Sequence, residues 1–169
     1  MNWGSCAPPD VLKREMKIRT SIVIRATPET LWPLLTNSSM DVPGCFCLGL
    51  PQPVSCELPD GVGGIGSERR CISDRGVVVQ RITEWAPPKH LQFEMVSTNH
   101  CWSTQVDSIR EEFRVKQHIH GSRITRTTTI AATKPFRCIK ELGFYLGLKR
   151  VHLYVFKNWQ AGTESGPLE

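Results

Sequence analysis

Several features that define other classes of protein are missing from this sequence of 169 residues. No run of about 18 or more apolar residues is present, so no transmembrane segment is predicted. The N-terminal residues 1–17 lack the apolar stretch of about 7–15 residues found in a secretory signal. We therefore expect a cytoplasmic protein whose 7 cysteines are reduced thiols.

Motifs of several known chemistries are also missing. The sequence has neither the G-x-S-x-G turn of a serine hydrolase nor a phosphate-binding P-loop. The cysteines of segment 40–59 lack the paired C-x-x-C spacing of a structural zinc site, so buried or incidental thiols are predicted there. His118 and His120 share one face of a predicted strand, but Lys116 lies on that face and no carboxylate is near. We expect neither a metal ion nor a cofactor.

The charge pattern argues against a nucleic-acid partner. The net charge is +5, but the arginines are spread over many segments rather than clustered. No zinc-finger spacing and no aromatic RNA-binding signature accompany them. A solvated sheet face is the preferred interpretation of this mild basic excess.

One stretch, "DGVGGIGSERR" at 60–70, contains a literal G-x-G-x-x-G at 61–66. A dinucleotide site needs a buried strand before this motif and a helix after it. Here the preceding "QPVSCELPD" has few apolar residues, and the following segment has the pattern of a strand. The glycines are therefore predicted to form a hairpin loop between antiparallel strands.

The hydrophobic pattern predicts a short helix, a succession of strands and a long final helix. Residues 17–26 alternate as a strand with one buried face. Thr27 and Pro28 then have the residue types of a helix N-cap and first position, and the helix ends by Asn37. The final helix is predicted from about 136 to 159, and segment 40–59 allows only short strands. The remaining strands are predicted at 67–75, 76–86, 91–98, 110–120 and 123–134.

Two segments and the element order bear a resemblance to a known family. They are "SIVIRATPETLWPLLTN" at 21–37 and "ITEWAPPKHLQFEMV" at 82–96, together with the glycine loop and the final helix. The sequence resembles the START/polyketide-cyclase superfamily over most of residues 17–160, although segments 40–59 and 99–109 depart from its pattern. The resemblance implies an α+β helix-grip fold, a curved antiparallel sheet wrapped around a long C-terminal helix with an internal cavity.

The predicted organisation is one helix-grip domain at 17–160, between a loose N-terminal tail at 1–16 and a disordered C-terminal tail at 161–169. The function expected from the resemblance is binding or transport of a hydrophobic or amphipathic small molecule, such as a lipid, a quinone or a polyketide-like compound. The glycine loop and residues 99–109 are expected to gate the cavity. The predicted ligand-binding residues are Ile22, Ile24, Trp32, Trp85, Phe93, Met95, Trp102, Phe113, Val115, Tyr145, Leu148, His152 and Phe156.

Two other classes of function are left open. Members of the family include cyclases and dehydratases, which need proton donors or bases inside the cavity. No residue is assigned as catalytic, and the candidates for that role are Arg81, Glu84, Tyr145, His152 and Tyr154. The third class is a protein-interaction module, for which an exposed apolar patch would be the sign.

Overall fold

A computed structural model describes residues 14–46, 50–58, 61 and 63–164 of the chain. Within these ranges the chain forms eight strands, two α-helices and one short 3-10 turn at Ser103–Gln105. The helices are α1 (Pro28–Thr36) and α2 (Arg137–Glu164). The strands are β1 (Met16–Ile24), β2 (Ser38–Ser39), β3 (Pro53–Glu57), β4 (Glu68–Ser73), β5 (Gly76–Ala86), β6 (His90–Thr98), β7 (Val106–His118) and β8 (Gly121–Ala132).

All eight strands belong to one antiparallel sheet in the order β1-β8-β7-β6-β5-β4-β3-β2. Each strand from β2 to β8 pairs with its neighbour in sequence, and β1 closes the order by pairing with β8. The sheet is curled, and α2 lies against β1 and β8. The predicted helix-grip fold is therefore confirmed, because a single curled sheet holds the long C-terminal helix.

The first helix begins as its sequence predicts. The hydroxyl of Thr27 accepts a hydrogen bond from the backbone N–H of Thr30 at 3.3 Å, which satisfies one of the free donors of the first turn. Pro28 occupies the first turn, where its missing N–H is not needed. Leu31 and Leu35, one turn apart, are fully buried, so this short helix covers the core with one face.

The segment with the G-x-G-x-x-G pattern connects β3 to β4, which pair with each other antiparallel. The strand β4 follows it directly, so the interpretation as a hairpin connection is confirmed. Gly63 lies against the indole of Trp85, where a Cβ atom would overlap the ring. This glycine is therefore explained by close packing rather than by a bound phosphate.

Three of the differences from the predicted boundaries are the largest in consequence. The strand β7 begins at Val106, so the loop expected at 99–109 is shorter, because the 3-10 turn leads directly into the strand. The helix α2 continues to Glu164, so the first four residues of the predicted C-terminal tail are helical, while 165–169 lie outside the described residues. Ile119, inside the strand predicted at 110–120, is 88% exposed because β7 ends at His118 and Ile119 lies in the turn. Residues 1–13 of the predicted N-terminal tail also lie outside the described residues.

The cysteines give a further correction. Cys56 on β3 and Cys71 on β4 are directly opposite each other and form a disulfide. The prediction of reduced thiols is therefore wrong for these two residues, because spacing along the chain does not show which strands pair. Cys45, Cys101 and Cys138 are exposed free thiols. The cytoplasmic location stays a prediction.

We predict opposite effects of alanine at two glycines. Gly121 has a φ of 124°, and a Cβ atom there would overlap the carbonyl oxygen of Ile24. Gly121→Ala should therefore lower the free energy of unfolding by about 2 kcal/mol or more. Gly143, inside α2, has no atom within 4 Å of its built Cβ, so Gly143→Ala should raise the same quantity by about 0.5–1 kcal/mol. Urea unfolding measures the free energy of unfolding of both variants. An equal change in the two variants would contradict the different surroundings described for these glycines.

Candidate functional site

A cavity of about 190 Å³ lies between the sheet and the inner side of α2. Its wall is formed by residues from β2, β3, β4, β5, β7, β8 and α2, and by residues of the segments before β3 and β7. Most of these side chains are apolar, as in small-molecule sites generally. The apolar wall includes Met40, Leu50, Ile72, Val78, Trp102, Ile109, Phe113, Phe144, Leu148, Val151, Val155 and Trp159.

Three charged side chains interrupt this apolar wall. Arg69 comes from β4, Glu111 from β7 and Arg126 from β8, and all three line the cavity. They are only 2%, 6% and 8% exposed. Alternation along the strands explains their position, since Glu111 lies on the same face of β7 as Phe113, and Arg126 on the same face of β8 as Ile124. The sheet therefore directs ionic groups into its own interior.

Glu111 is held by hydrogen bonds to both of its oxygens. Arg126 donates from Nη2 to Oε1 at 2.6 Å, and Thr128 donates to the same oxygen at 3.4 Å. Gln80 donates from Nε2 to Oε2 at 3.4 Å. Burial opposes ionisation of Glu111, but the charge of Arg126, its hydrogen bond to the carboxylate and the charge of Arg69 lower the pKa of Glu111 to about 2. Glu111 is therefore a carboxylate at neutral pH.

The two guanidinium groups rest on aromatic rings. Arg69 lies 4.6 Å from the ring centroid of Phe93, and Arg126 lies 5.2 Å from that of Phe113. Burial is the largest influence on Arg69 and lowers its pKa to about 10, with the charge of Glu111 acting in the opposite direction. Arg69 therefore stays protonated at neutral pH, and cation–π attraction offsets part of its desolvation.

The cluster of Arg69, Glu111 and Arg126 has more hydrogen-bond donors than acceptors. Two guanidinium groups face one carboxylate, so the cluster has a net positive charge near the cavity. Within the described part of the chain, residues that line the cavity have four buried nitrogen donors without a hydrogen-bond partner: Arg69 Nε and Nη1, Arg126 Nε and Trp159 Nε1. A buried donor without a partner costs about 1–3 kcal/mol, and more when it is charged. The site is thus chemically suited to an acceptor oxygen.

His152 on α2 joins this cluster to the helix. It is fully buried, with Nε2 at 2.8 Å from the Thr128 hydroxyl and Nδ1 at 3.1 Å from the Thr20 hydroxyl. Burial, and then the positive charge of Arg126, lower its pKa to about 3. His152 is therefore a neutral link between α2 and strands β1 and β8, and it does not line the cavity.

A second histidine lies on the cavity wall. His100 is 5% exposed, stacks on Trp102 with ring centroids 5.2 Å apart, and has Nε2 at 3.4 Å from the Ser73 hydroxyl. Burial lowers its pKa, against a smaller opposite effect of Asp74. A neutral imidazole at the cavity is therefore expected at physiological pH.

Only part of the predicted binding set lies on the cavity. Trp102, Phe113 and Leu148 line it. Tyr145 is 42% exposed and lies elsewhere, because the helix turns it away from the sheet. The other predicted residues pack in the core beside the cavity: Ile22, Ile24, Trp32, Trp85, Phe93, Met95, Val115, His152 and Phe156. His100, Trp102 and Ile109, from the predicted gating segment 99–109, line the wall, whereas no described residue of the glycine loop does.

The catalytic candidates are not brought together. Arg81 lies 3.5 Å from Glu68 in a surface ion pair, and Glu84 forms a surface contact with His90 at 2.9 Å. Both lie away from the cavity wall, as do Tyr145 and His152. Tyr154 is buried, but its hydroxyl donates to the carbonyl of Val42 and accepts from Gln52, so it fixes the chain before β3.

The residues that the sequence analysis missed are Arg69, Glu111, Arg126 and His100. A signal for two of them was present, because strict alternation places Glu111 on the face of Phe113 and Arg126 on the face of Ile124. Charged residues were instead assumed to face solvent. His100 has no such signal, since it lies in an irregular loop.

The described residues contain neither a candidate membrane span nor a candidate metal cluster. No helix among them is long and apolar enough to cross a membrane. No group of three or more His, Cys, Asp or Glu side chains in those ranges is arranged to hold a metal ion.

Comparison with known proteins agrees with this geometry. Residues 15–146, well over half of the chain, match the family described as polyketide cyclase/dehydrase and lipid transport. The chain belongs to this family, within the START/polyketide-cyclase superfamily predicted from the sequence. No curated protein matches the chain.

Solved structures show the same fold at low sequence identity. The Zhui aromatase/cyclase of a Streptomyces species has a TM-score of 0.65 at 12% identity, with 89% of this chain and 94% of that chain covered. A Mesorhizobium loti protein has a TM-score of 0.61 at 14% identity, with 90% and 100% covered. A major latex-like protein of Panax ginseng has a TM-score of 0.59 at 14% identity, with 88% and 97% covered. The family and fold support a protein that binds a ligand in its cavity.

The buried histidine predicts a specific loss of stability in acid. Below about pH 6.5 the unfolded chain binds a proton at residue 152 that the folded chain does not, so stability falls as the pH decreases. Glu111 contributes in the same direction only below about pH 4.5. Between about pH 7 and pH 5, the free energy of unfolding of His152→Gln should therefore fall by about 2 kcal/mol less than that of the original chain.

The measurement is urea unfolding of both proteins at the two pH values. The control is His120→Gln, which replaces an exposed histidine of the β7–β8 turn and should leave the pH dependence unchanged. An identical pH dependence in His152→Gln and the original chain would show that His152 is not buried in its neutral form.

Proposed function

We propose that the cavity binds an amphipathic small molecule whose apolar body lies against the aliphatic and aromatic wall and whose acidic or carbonyl oxygen pairs with Arg69. The observation behind this proposal is the buried guanidinium of Arg69, whose Nε and Nη1 lack a partner among the described residues. Glu111 accepts hydrogen bonds from Arg126, Thr128 and Gln80, and it forms none with Arg69 among the described contacts. The free charge on the wall therefore favours an anionic or strongly polarised oxygen.

The two parts of the ligand have different roles in binding. Burial of the apolar body contributes roughly 25 cal/mol for each Å² removed from water, before the cost of ordering the ligand. The oxygen contributes orientation, since a hydrogen bond to a charged donor is worth about 1.5–3 kcal/mol and has a defined direction. A fatty acid, a quinone or a polyketide-like compound has both parts.

A matched pair of probes tests the proposal. Naphthaleneacetate and naphthaleneacetamide have the same ring and differ in the charge of the head group. Arg69→Met should weaken binding of the carboxylate by about 10- to 100-fold, because one charge-assisted hydrogen bond is lost. Binding of the amide should change much less. Titration calorimetry on the purified chain measures both affinities.

The control variant is Arg70→Met. Arg70 is the next residue on β4 and lies on the exposed, opposite face of the strand. It has the same charge, so the variant should bind both probes as the original chain does. An equal loss of affinity for naphthaleneacetate in the two variants would mean that net charge, not the cavity guanidinium, attracts the anion.

A second candidate function is catalysis on a poly-β-carbonyl compound, and the observation that favours it is His100. A neutral imidazole on the same wall as two guanidinium groups resembles a base facing enolate-stabilising donors. If His100 acts as the base, His100→Gln should slow deuterium exchange at the acidic CH₂ of a short poly-β-carbonyl thioester at least about tenfold. The control is His118→Gln, at the end of β7, and an unchanged exchange rate in His100→Gln would remove this candidate.

A further inference from the structure

The side of α2 that faces away from the sheet is unusually apolar. Ile139, Leu142, Leu146 and Leu153 are 71%, 61%, 61% and 53% exposed. They follow one another at intervals of three, four and seven residues, so they lie on one face of the helix. We call these four residues the outer stripe. A contiguous exposed apolar surface of this kind marks a site of contact with another molecule or with a membrane.

The charge of α2 is almost entirely positive. Among its described side chains the single carboxylate is Glu141, which is buried and accepts a hydrogen bond from Arg137 at 2.9 Å. Four further cations are not in ion pairs within the described chain: Lys140, Lys149, Arg150 and Lys157. The first three donate hydrogen bonds to backbone carbonyls, which leave their positive charge without a counter-charge. The partner of the outer stripe is therefore expected to be apolar and negatively charged.

This combination distinguishes between partners. A second copy of the chain, docked through the same helix, would bring together two helices whose exposed described charges are all positive, and like charges repel. An anionic bilayer offers both complements at once, an apolar layer for the aliphatic side chains and acidic head groups for the lysines. We propose that the outer stripe of α2 docks on the surface of an anionic lipid membrane.

The position of the stripe relative to the cavity supports the proposal. Phe144 and Leu148 line the cavity from the inner side of the same two turns that present Leu142 and Leu146 outward. A membrane in contact with these turns would lie one helix diameter, about 10–12 Å, from the cavity. The docking does not depend on the identity of the cavity ligand, so the two proposals can fail separately.

Vesicle flotation with the full chain tests the docking. Vesicles of phosphatidylcholine with about one third phosphatidylserine should bind the protein, and added salt should weaken this binding. Leu142→Gln combined with Leu146→Gln should lower the bound fraction at least tenfold. The control is Ile119→Gln, since Ile119 is 88% exposed in the β7–β8 turn and should not contribute.

A second pair of variants tests the charge. Lys149→Gln combined with Lys157→Gln should weaken binding to the anionic vesicles severalfold and leave binding to pure phosphatidylcholine unchanged. Lys116→Gln, on the exposed face of β7, is the control of equal chemistry. Naphthaleneacetate affinity and the thermal transition, measured on every variant, separate loss of docking from loss of the fold or of the cavity site.

Three results would overturn the proposal. One is absence of binding to anionic vesicles at low salt. Another is unchanged binding after both leucines are replaced. The third is a dimer, seen by light scattering, that becomes a monomer in the leucine variant while neither protein binds vesicles. The outer stripe would then be a contact between two protein chains rather than a membrane-binding surface.

Discussion

The pairing of Glu111 with Arg126 inside the sheet is the interaction on which the rest of the site depends. An unpaired carboxylate in an apolar interior would be strongly destabilising. Here the 2.6 Å contact between the two side chains holds β7 and β8 in one register, and Thr128 extends the contact to His152 and thus to α2. Arg69 has no hydrogen bond to this carboxylate among the described contacts, and its Nε and Nη1 are left without a partner. The unpaired donors beside the cavity therefore follow from the way in which the sheet pairs its buried charges.

Alternation in the sequence is sufficient to predict the sheet but not the site. The strand at 76–86, the cap at Thr27 and the antiparallel connection around the glycines are all local features, and the structure confirms them. The charged cluster combines the consecutive strands β7 and β8 with β4, which is separated from them along the chain and in the sheet by β5 and β6. Glu111 and Arg126 meet within the β7–β8 hairpin, where Glu111 lies opposite Thr128 and Phe113 opposite Arg126. Arg69 joins them across the curled sheet, and that arrangement is not predictable from any one segment.

The long helix shows why a periodic pattern can mislead. Its inner face includes Glu141, His152 and Asn158, all buried, whereas its outer face includes exposed leucines. Hydrophobicity therefore does not separate the two faces, and Tyr145 was placed inside although it is 42% exposed. Polar groups on the inner face are satisfied by specific partners, such as the backbone N–H of Val42 for Asn158. Such partners become visible only when the sheet is in place.

Gly143 and Gly147 form part of the cavity wall, where the helix presents backbone instead of side chains. Glycine within a helix lowers stability by about 0.5–1 kcal/mol relative to alanine, while each missing side chain leaves room beside the ligand. At Gly147 that room is already used, because Leu50 lies 2.8 Å from where its Cβ would stand. At Gly143 it is open. A methyl group at Gly143 would therefore meet no described atom, and the helix could gain stability at this position without a clash.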